Sequence, residues 1–400
     1  MKIVLPKNRS LRMTRLTLIS AVCIFLLAAC GDAPATDAPG TALIVENPFH
    51  GPHQNGDAYR LDMEEIVRFG AEEEPEREML SQVRGVEVDR EGNVYILDGN
   101  RLISFTAEGD FRWESGREGE GPGEFTRAWS MLMTPDGHLL VRNQGGQRFD
   151  YFTLSGTYVQ SLSRDLDVFD GFANPIGFLD DTTAVVTGAV RDGQGVIVRL
   201  AQTSADWQVA DTFRVEPEME LDLPTGFSIG AGGAILDGNI VLARPDVYEL
   251  GIFSPQGDTV RIVRRDVRDF TRPGYATFDG GAGIRSYSRT SMPVVLPGGY
   301  RIIAAGWPTN IPDPDAHAKA SFAQEDPPDP INHSTLDVYD ADWRLLFSIE
   351  NEDLDALEFG TVMAQPAPGD LYIVRSSPYP HVKRVRVAVE GTGSTPPTRP

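Results

Sequence analysis

The chain has 400 residues, a formal net charge of -22 at pH 7 and 41% apolar residues. An acidic surface of this kind repels nucleic acid phosphates and anionic lipids, which excludes nucleic acid as an expected partner. The apolar fraction can fill a large core, yet almost no stretch shows the helical period of 3.6 residues. The sequence therefore predicts a β-rich body.

The N-terminal segment 1–29 has the features of a cleavable signal peptide. Five basic residues come before or at the start of an apolar run over 16–29. At about fourteen residues the run is too short to span a bilayer as a stable helix, so we expect it to be removed. A start at Met13 would leave a sufficient signal, and translation from either Met1 or Met13 fits the sequence.

The signal ends in the residues LAAC, 27–30, which resemble the lipobox of bacterial lipoproteins. The resemblance implies that Cys30 is lipidated and anchors the protein to a membrane; the alternative is an ordinary signal with an accidental cysteine. Cys23 lies inside the signal, so the mature chain would hold no disulfide and no cysteine-based zinc site. We interpret 30–58 as the lipidated cysteine and a flexible leader, with sorting to the outer membrane expected because Gly31, and not an aspartate, directly follows the cysteine.

The segment 83–125 has the pattern of a complete four-stranded unit. Its apolar runs alternate with REGN, DGNR and AEGD, which are clusters of turn-forming residues. The first hairpin turn of this unit, at 89–93, recurs at 134–138, 179–182, 236–239, 296–299 and 367–370. Each turn precedes a run rich in β-branched residues, which suits a strand covered on both faces. Six turns predict six sheets.

The final unit lacks the second hairpin turn that the other five carry. Segment 59–70 has no other strand to pair with, so it can supply the outermost strand of the last sheet. The sequence thus predicts an all-β fold, a single six-bladed β-propeller of four-stranded antiparallel blades whose last blade is closed by an N-terminal strand. The tail 391–400 is expected to be disordered. The propeller spans 59–390, with blades at about 83–116, 128–163, 175–215, 228–267, 290–350 and 358–390 plus 59–70.

The residues NVYILDGNRLISF at 93–105, followed by GREGEGPGEF at 116–125, resemble an NHL-type repeat. The whole chain resembles the six-bladed, TolB-like β-propeller lipoproteins of bacteria. The element GxGPGEF occurs clearly once, so the later blades are assigned by spacing. Propellers of this kind include binding modules and enzymes of the lactonase or sugar-dehydrogenase type, and for the enzymes the resemblance implies a calcium ion at the axis held by Glu, Asn and Asp.

Motifs for catalysis or metal binding are weak. Residues 226–230 match the G-x-S-x-G nucleophile elbow, but no helical pattern follows to support an oxyanion hole. The glycine-rich run 116–123 lacks the GK[ST] ending of a phosphate loop, and we interpret it as a crossover between blades. The six histidines are scattered, and no acidic turn matches a calcium loop. We predict no catalytic residue, no metal ligand and no cofactor, with calcium left as the alternative that the resemblance implies.

The end of the second strand in each blade is a candidate position for ligand binding. Aligned by spacing, these positions are Asp98, Arg142, Thr187, Arg244, Ala305 and Arg375. They lead into loops on the face that also carries the crossovers, and arginine is a good anchor for carboxylate or phosphate. The alternative is that these arginines form ion pairs within the scaffold, with Asp98, Asp150 or Asp246 as partners.

The longest insertion, 306–332, lies between the second and third strands of blade five. It is either a lid over this face, with Trp307 as an aromatic contact, or a mobile acidic spur. Crossovers 264–289 and 376–381 add further residues to the same face, namely Arg272, Tyr275, Tyr287, Tyr379 and His381. The predicted ligand site consists of Arg142, Arg244, Arg375, Asp98, Trp307, Tyr379 and His381.

The preferred function is a monomeric, membrane-anchored envelope lipoprotein whose propeller face binds or scaffolds a protein, peptide or saccharide. The alternative is a calcium-dependent propeller hydrolase, lactonase-like or sugar-dehydrogenase-like enzyme with its site at the central channel. The fold hosts both classes, so the fold does not decide between them. The weakness of the acid, base and metal motifs favours binding over catalysis.

Overall fold

The computed structural model describes residues 42–54, 58–73, 75–143, 148–163, 169–190, 195–202, 207–214, 233–244, 246–278, 281–325 and 327–391. The predicted signal peptide, Cys30, the motif at 226–230 and the predicted tail beyond Gly391 lie outside these residues. No helix in the described ranges is both long and apolar enough to cross a membrane.

The described residues form strands throughout, with two short α-helices. The strands are β1 (Leu43–Asn47), β2 (Tyr59–Phe69), β3 (Val83–Val88), β4 (Val94–Asp98), β5 (Arg101–Phe105), β6 (Phe111–Ser115), β7 (Ala128–Met133), β8 (His138–Asn143), β9 (Arg148–Thr153), β10 (Tyr158–Ser163), β11 (Phe169–Phe178), β12 (Thr183–Val190), β13 (Gly195–Gln202), β14 (Trp207–Arg214), β15 (Gly233–Leu236), β16 (Asn239–Ala243), β17 (Glu249–Phe253), β18 (Thr259–Arg265), β19 (Gly274–Phe278), β20 (Gly281–Arg285), β21 (Arg289–Thr290), β22 (Val294–Val295), β23 (Arg301–Pro308), β24 (Asn332–Tyr339), β25 (Leu345–Glu350), β26 (Thr361–Ala367), β27 (Asp370–Arg375) and β28 (His381–Gly391). The helices are α1 (Pro314–Phe322) and α2 (Asn351–Ala356).

These strands assemble into six main sheets, which we call blades 1 to 6. Blade 1 is β3 to β6, blade 2 is β7 to β10, blade 3 is β11 to β14, and blade 4 is β15 to β18. Blade 5 is β23, β24 and β25 with the short strands β21 and β22, and blade 6 is β26, β27 and β28 with β2. Within each blade, consecutive strands pair antiparallel.

Apolar clusters join neighbouring blades into a ring. Tyr372 of blade 6 packs with Val86 and Phe105 of blade 1, and Tyr95 of blade 1 packs with Val141 of blade 2. Comparable clusters join blades 3 and 4, 4 and 5, and 5 and 6, and strands β7 and β11 contact each other between blades 2 and 3. The protein is therefore an all-β propeller of antiparallel blades, as the sequence predicts.

The N-terminal strand β2 closes blade 6. It pairs antiparallel with β28 from the pair Tyr59–Gly391 to the pair Phe69–Val382. This is the pairing predicted from the missing sixth hairpin. It removes a free strand edge by joining the two ends of the domain.

Strand β1 is an addition that the sequence did not predict. It pairs parallel with β18 at the outer edge of blade 4. The side chain of Asn47 fixes this strand: its amide donates to the carbonyls of Arg264 at 3.0 Å and Trp343 at 3.1 Å, and its carbonyl accepts from the Leu345 N–H at 2.8 Å. These partners are more than 200 residues away, so the local sequence gives no sign of the pairing.

The two long insertions also differ from the prediction. Crossover 264–289 contains the hairpin β19–β20, and insertion 306–332 contains α1, where no secondary structure was expected. Asp313 caps α1 by accepting a hydrogen bond from the Ala316 N–H at 3.0 Å. Only Ala318 of this helix is buried, so the sequence carries no apolar period to detect.

Candidate functional site

Asp98 is part of the scaffold at the entry to blade 1. Its buried carboxylate accepts hydrogen bonds from the backbone N–H groups of Ser81 at 2.9 Å and Gln82 at 2.5 Å. It also forms an ion pair with Arg101 at 3.0 Å. Since all these contacts are internal, Asp98 holds the crossover against β4.

Arg142 and Asp98 do not occupy equivalent positions. Asp98 lies opposite Val83, whereas the residue opposite Ala128 in blade 2 is Asn143. Asn143 also has the same structural role as Asp98, because its side-chain carbonyl accepts a hydrogen bond from the backbone N–H of Arg127, just before the blade, at 3.3 Å. The predicted alignment is therefore wrong by one residue in blade 2, an error that counting from the hairpin turn would have avoided.

Arg142 lies buried at the seam between blades 2 and 3. Its guanidinium donates to the side-chain carbonyl of Asn174 in blade 3 at 3.4 Å. The two uncharged residues among the aligned positions, Thr187 and Ala305, are also buried. The aligned positions therefore point largely into the seams between blades.

Arg244 is bound in an ion-pair network at the end of blade 4. It donates to both carboxylate oxygens of Asp246 at 2.9 and 2.6 Å, and Glu249 lies 3.6 Å away. The Asp246 carboxylate raises the pKa of Arg244, and Glu249 also binds Arg264 at 2.5 Å. Arg244 therefore forms an ion pair within the scaffold, and its partner Asp246 is one of those expected from the sequence.

Arg375, Tyr379 and His381 do come together, at the end of blade 6. Arg375 lies opposite His381 in the sheet, and the rings of Tyr379 and His381 are 5.0 Å apart. Nδ1 of His381 donates to the Tyr379 carbonyl at 2.7 Å, while its buried Nε2 has no hydrogen-bond partner among the described residues. Burial lowers the pKa of His381, so the ring is neutral at pH 7.

A buried lysine lies next to this group. Lys383 donates to Glu358 at 2.6 Å and lies 3.1 Å from Glu65 of the closing strand β2. Hydrogen bonds from Arg68 and Lys383 lower the pKa of Glu65, and Lys383 also lowers the pKa of Glu358. These contacts tie β2 to the crossover between blades 5 and 6.

Trp307 lies in the interior, at 2% exposure, and not on the surface of the insertion. It lines an aromatic box around Arg265, whose guanidinium carbon is 5.9 Å from the Trp307 ring, 5.2 Å from Phe49 and 5.7 Å from Tyr248. Arg265 binds both carboxylate oxygens of Asp337, at 2.8 and 2.7 Å. This cluster locks the seam between blades 4 and 5.

Helix α1 packs on the hairpin β19–β20, and we call these three elements the cap. Arg272 binds both carboxylate oxygens of Asp315 at 2.9 and 2.6 Å, and Asp315 also accepts from the Tyr275 N–H at 2.8 Å. Nε2 of His317 donates to a backbone carbonyl at 2.9 Å, so its Nδ1 accepts from the Tyr287 hydroxyl at 2.8 Å. The cap is thus one folded element built from two separate insertions.

A cleft of about 640 Å³ lies beside the cap, and we call it the cap cleft. One wall is the crossover 268–272 and the other is the segment 308–314. Its lining residues are Arg268, Asp269, Phe270, Thr271, Arg272, Pro308, Thr309, Asn310, Ile311, Pro312 and Pro314. Of these residues, only Arg272 was a candidate from the sequence, because the two walls come from stretches about 40 residues apart in the chain.

The described residues contain no group of three or more His, Cys, Asp or Glu side chains arranged to hold a metal ion. No family model matches the sequence, and no curated protein matches it.

Among solved structures, the chain is similar to a member of the DUF4221 family from Bacteroides vulgatus. The identity is 10%, the match covers 84% of this chain and 99% of that one, and the TM-score is 0.54. It is also similar to a protein from Bacteroides fragilis described as exported, at 10% identity, 86% and 99% coverage and a TM-score of 0.51. A match to virginiamycin B lyase from Staphylococcus aureus has 9% identity, 82% and 99% coverage and a TM-score of 0.42. At these identities the likeness shows the fold alone.

Proposed function

We propose that this protein is a lipid-anchored, NHL- or TolB-type propeller of the bacterial cell envelope that binds a peptide segment of a partner protein in the cap cleft. The observation that carries the proposal is the cap itself. Two insertions fold together and wall one cleft, and long insertions on a rigid scaffold are where binding sites concentrate. The predicted signal peptide and the lipobox-like LAAC at 27–30 support the location, and one solved structure of the same fold is described as exported.

The lining of the cap cleft fits a ligand with apolar and acidic groups. Phe270, Ile311 and three prolines supply a stiff apolar surface, which loses little conformational entropy when a ligand binds. Arg268 is exposed at the rim, whereas Arg272 is already held by Asp315. A short peptide with one apolar side chain and one carboxylate would satisfy both features.

Site-specific photo-crosslinking in the native cells tests the binding site. A crosslinking residue at Thr309, which is exposed in the cleft, is expected to capture a defined partner. The matched control is Val209, which is exposed on β14 of blade 3. Arg268→Glu should abolish capture at Thr309, while Arg386→Glu on blade 6 should not. Equal capture at both positions, or capture that survives Arg268→Glu, would contradict the proposal.

Membrane attachment has a separate test. Cys30→Ala should move the protein from the membrane fraction to the soluble envelope fraction and abolish labelling by a fatty acid. If the variant stays in the membrane fraction with the same fatty acid label, Cys30 is not the anchor.

A further inference from the structure

Three side chains form an unusual group at the inner edge of blades 1 and 2. Trp129, the second residue of β7, is 44% exposed. The guanidinium carbon of Arg84 lies 5.4 Å from the centroid of its indole ring, and that of Arg127 lies 5.3 Å from it. We call Arg84, Arg127 and Trp129 the inner-edge platform. It belongs to blades 1 and 2, whereas the cap cleft belongs to blades 4 and 5.

A β-bulge positions each of two of these side chains, Arg84 and Trp129. Val83 pairs with Asp98 and Gly85 with Leu97, so Arg84 is the extra residue of a β-bulge in β3. Ala128 pairs with Asn143 and Ser130 with Arg142, so Trp129 is the extra residue of a β-bulge in β7. Bulges redirect a side chain from its regular position in a sheet and occur often beside binding sites.

Internal contacts hold the Arg84 guanidinium in place without neutralising it. It donates to the Ala128 carbonyl at 2.5 Å and to the side-chain carbonyl of Gln82 at 2.5 Å, and both acceptors are uncharged. Within the ranges that the structure describes, neither Arg84 nor Arg127 forms an ion pair with a carboxylate. What distinguishes these two arginines is that both lie beside the same exposed indole ring, that of Trp129.

Two cations beside one aromatic ring attract an anion. Both guanidinium groups lie near the same indole, so each raises the local potential at the other. A carboxylate accepts paired hydrogen bonds from a guanidinium, and Arg84 is already oriented, which lowers the cost of ordering it. Trp129 keeps 44% of its surface exposed beside the two guanidinium groups, and the exposed part of its indole can attract the weakly positive C–H groups of a ligand ring. A ring that has a face of C–H groups and carries a carboxylate satisfies both requirements.

We propose that the inner-edge platform binds an acidic saccharide, meaning a sugar chain whose rings carry carboxylates. One ring would lie against Trp129 while its carboxylate binds Arg84 or Arg127. The platform offers a single aromatic surface and two cations over a short distance, which matches one or two sugar rings. An acidic peptide is the alternative class of ligand, and the experiment below separates the two.

Binding to oligogalacturonate, a chain of carboxylated sugars, tests the proposal by calorimetry on the protein without its signal. We expect binding that weakens as salt rises, no measurable binding of an uncharged galactose oligomer, and weaker binding of oligoglutamate than of oligogalacturonate. Trp129→Ala and Arg127→Ala should each weaken oligogalacturonate binding about tenfold or more. Arg386→Ala, which removes an exposed arginine on β28, should leave the affinity unchanged.

Trp129 and Arg127 are exposed, so their variants are expected to fold, and Trp129→Phe provides a second check because it keeps an aromatic face. Partial retention of affinity in Trp129→Phe, compared with Trp129→Ala, supports ring stacking. The proposal is overturned if oligogalacturonate binds no better than the neutral oligomer, if oligoglutamate binds equally well, or if the platform variants bind like the wild type. Failure of the cap-cleft test would leave these outcomes unaffected, since Arg268 takes no part in them.

Discussion

Two arginines, each at a seam between blades, differ in role: one stabilises its seam and the other is available to bind a ligand. At the seam of blades 4 and 5, the Arg265 side chain has 0% exposure, a carboxylate partner in Asp337 and three surrounding aromatic rings. At the seam of blades 1 and 2, Arg84 has uncharged acceptors and one exposed ring, that of Trp129. A neutralised and buried arginine locks a seam, whereas one that lacks an anionic partner is available to a ligand.

The first way to test this comparison is to remove the anion that neutralises Arg265. Asp337→Ala leaves a buried guanidinium without its carboxylate, and we expect a loss of about 3–5 kcal/mol in unfolding free energy. Denaturant unfolding at pH 7 measures it. Asp315→Ala is the matched control, because its pair with Arg272 is exposed and should contribute less than about 1 kcal/mol. Equal losses in the two variants would contradict the view that burial makes the Arg265–Asp337 pair essential to its seam.

The second test concerns the acid nearest to the inner-edge platform along its strand. Burial raises the pKa of Glu87 to about 8, although the Met133 N–H donates to its carboxylate. At pH 7 Glu87 is therefore mostly uncharged. Between the unfolded pKa near 4.5 and the folded pKa near 8, the folded state holds a proton that the unfolded state releases, so stability falls as the pH rises through this window.

Glu87→Gln should remove this pH dependence. At pH 9 we expect the variant to be more stable than the wild type by about 2 kcal/mol, since the wild type must then hold a half-buried charge. Unfolding curves at pH 5, 7 and 9 measure the difference, with the exposed Glu108→Gln as control. A wild type whose stability stays constant from pH 5 to pH 9 would refute the assignment.

The ion pairs of Lys383 in blade 6 are intermediate between the buried Arg265–Asp337 pair and the exposed Arg272–Asp315 pair. Lys383 is buried, while its partners Glu65 and Glu358 are exposed. Lys383→Met should cost about 1 kcal/mol at pH 7, since both carboxylates can return to water. The lowered carboxylate pKa values mean that this stabilisation is present above pH 4.5 and is lost as the pH falls through the folded values. The difference in unfolding free energy between Lys383→Met and the wild type should therefore be smaller at pH 3.5 than at pH 7. Arg386→Met is the control, and a gap that widens in acid would contradict the account.

How far the sequence predicts this molecule depends on the distance between the interacting residues. Turn residues act locally: Asp89 accepts from the N–H groups of Glu91 at 3.0 Å and Asn93 at 2.8 Å, and such turns fix the order of the strands. The closing strand β2 followed from counting hairpins. Strand β1 and the cap did not, because their contacts join segments far apart in the chain.

The candidate site was less predictable than the fold for the same reason. Asp246, two residues from Arg244, was named as a partner from the sequence, whereas Arg265 was not singled out because its partner Asp337 is 72 residues away. Trp129 gave no signal, because its exposure depends on a β-bulge and bulges follow from the pairing register of β7 with β8.

The smallest expected effect on stability is at the inner-edge platform itself. Arg127 is exposed and has no ion pair within the described residues, so Arg127→Ala should change the unfolding free energy by less than about 0.5 kcal/mol. The same substitution should cost about tenfold in binding of an acidic saccharide. Denaturant unfolding and calorimetry on one preparation measure both quantities. A loss of more than about 1 kcal/mol in stability would place Arg127 in the scaffold with Arg265, because a residue kept for binding contributes little to holding the blades together.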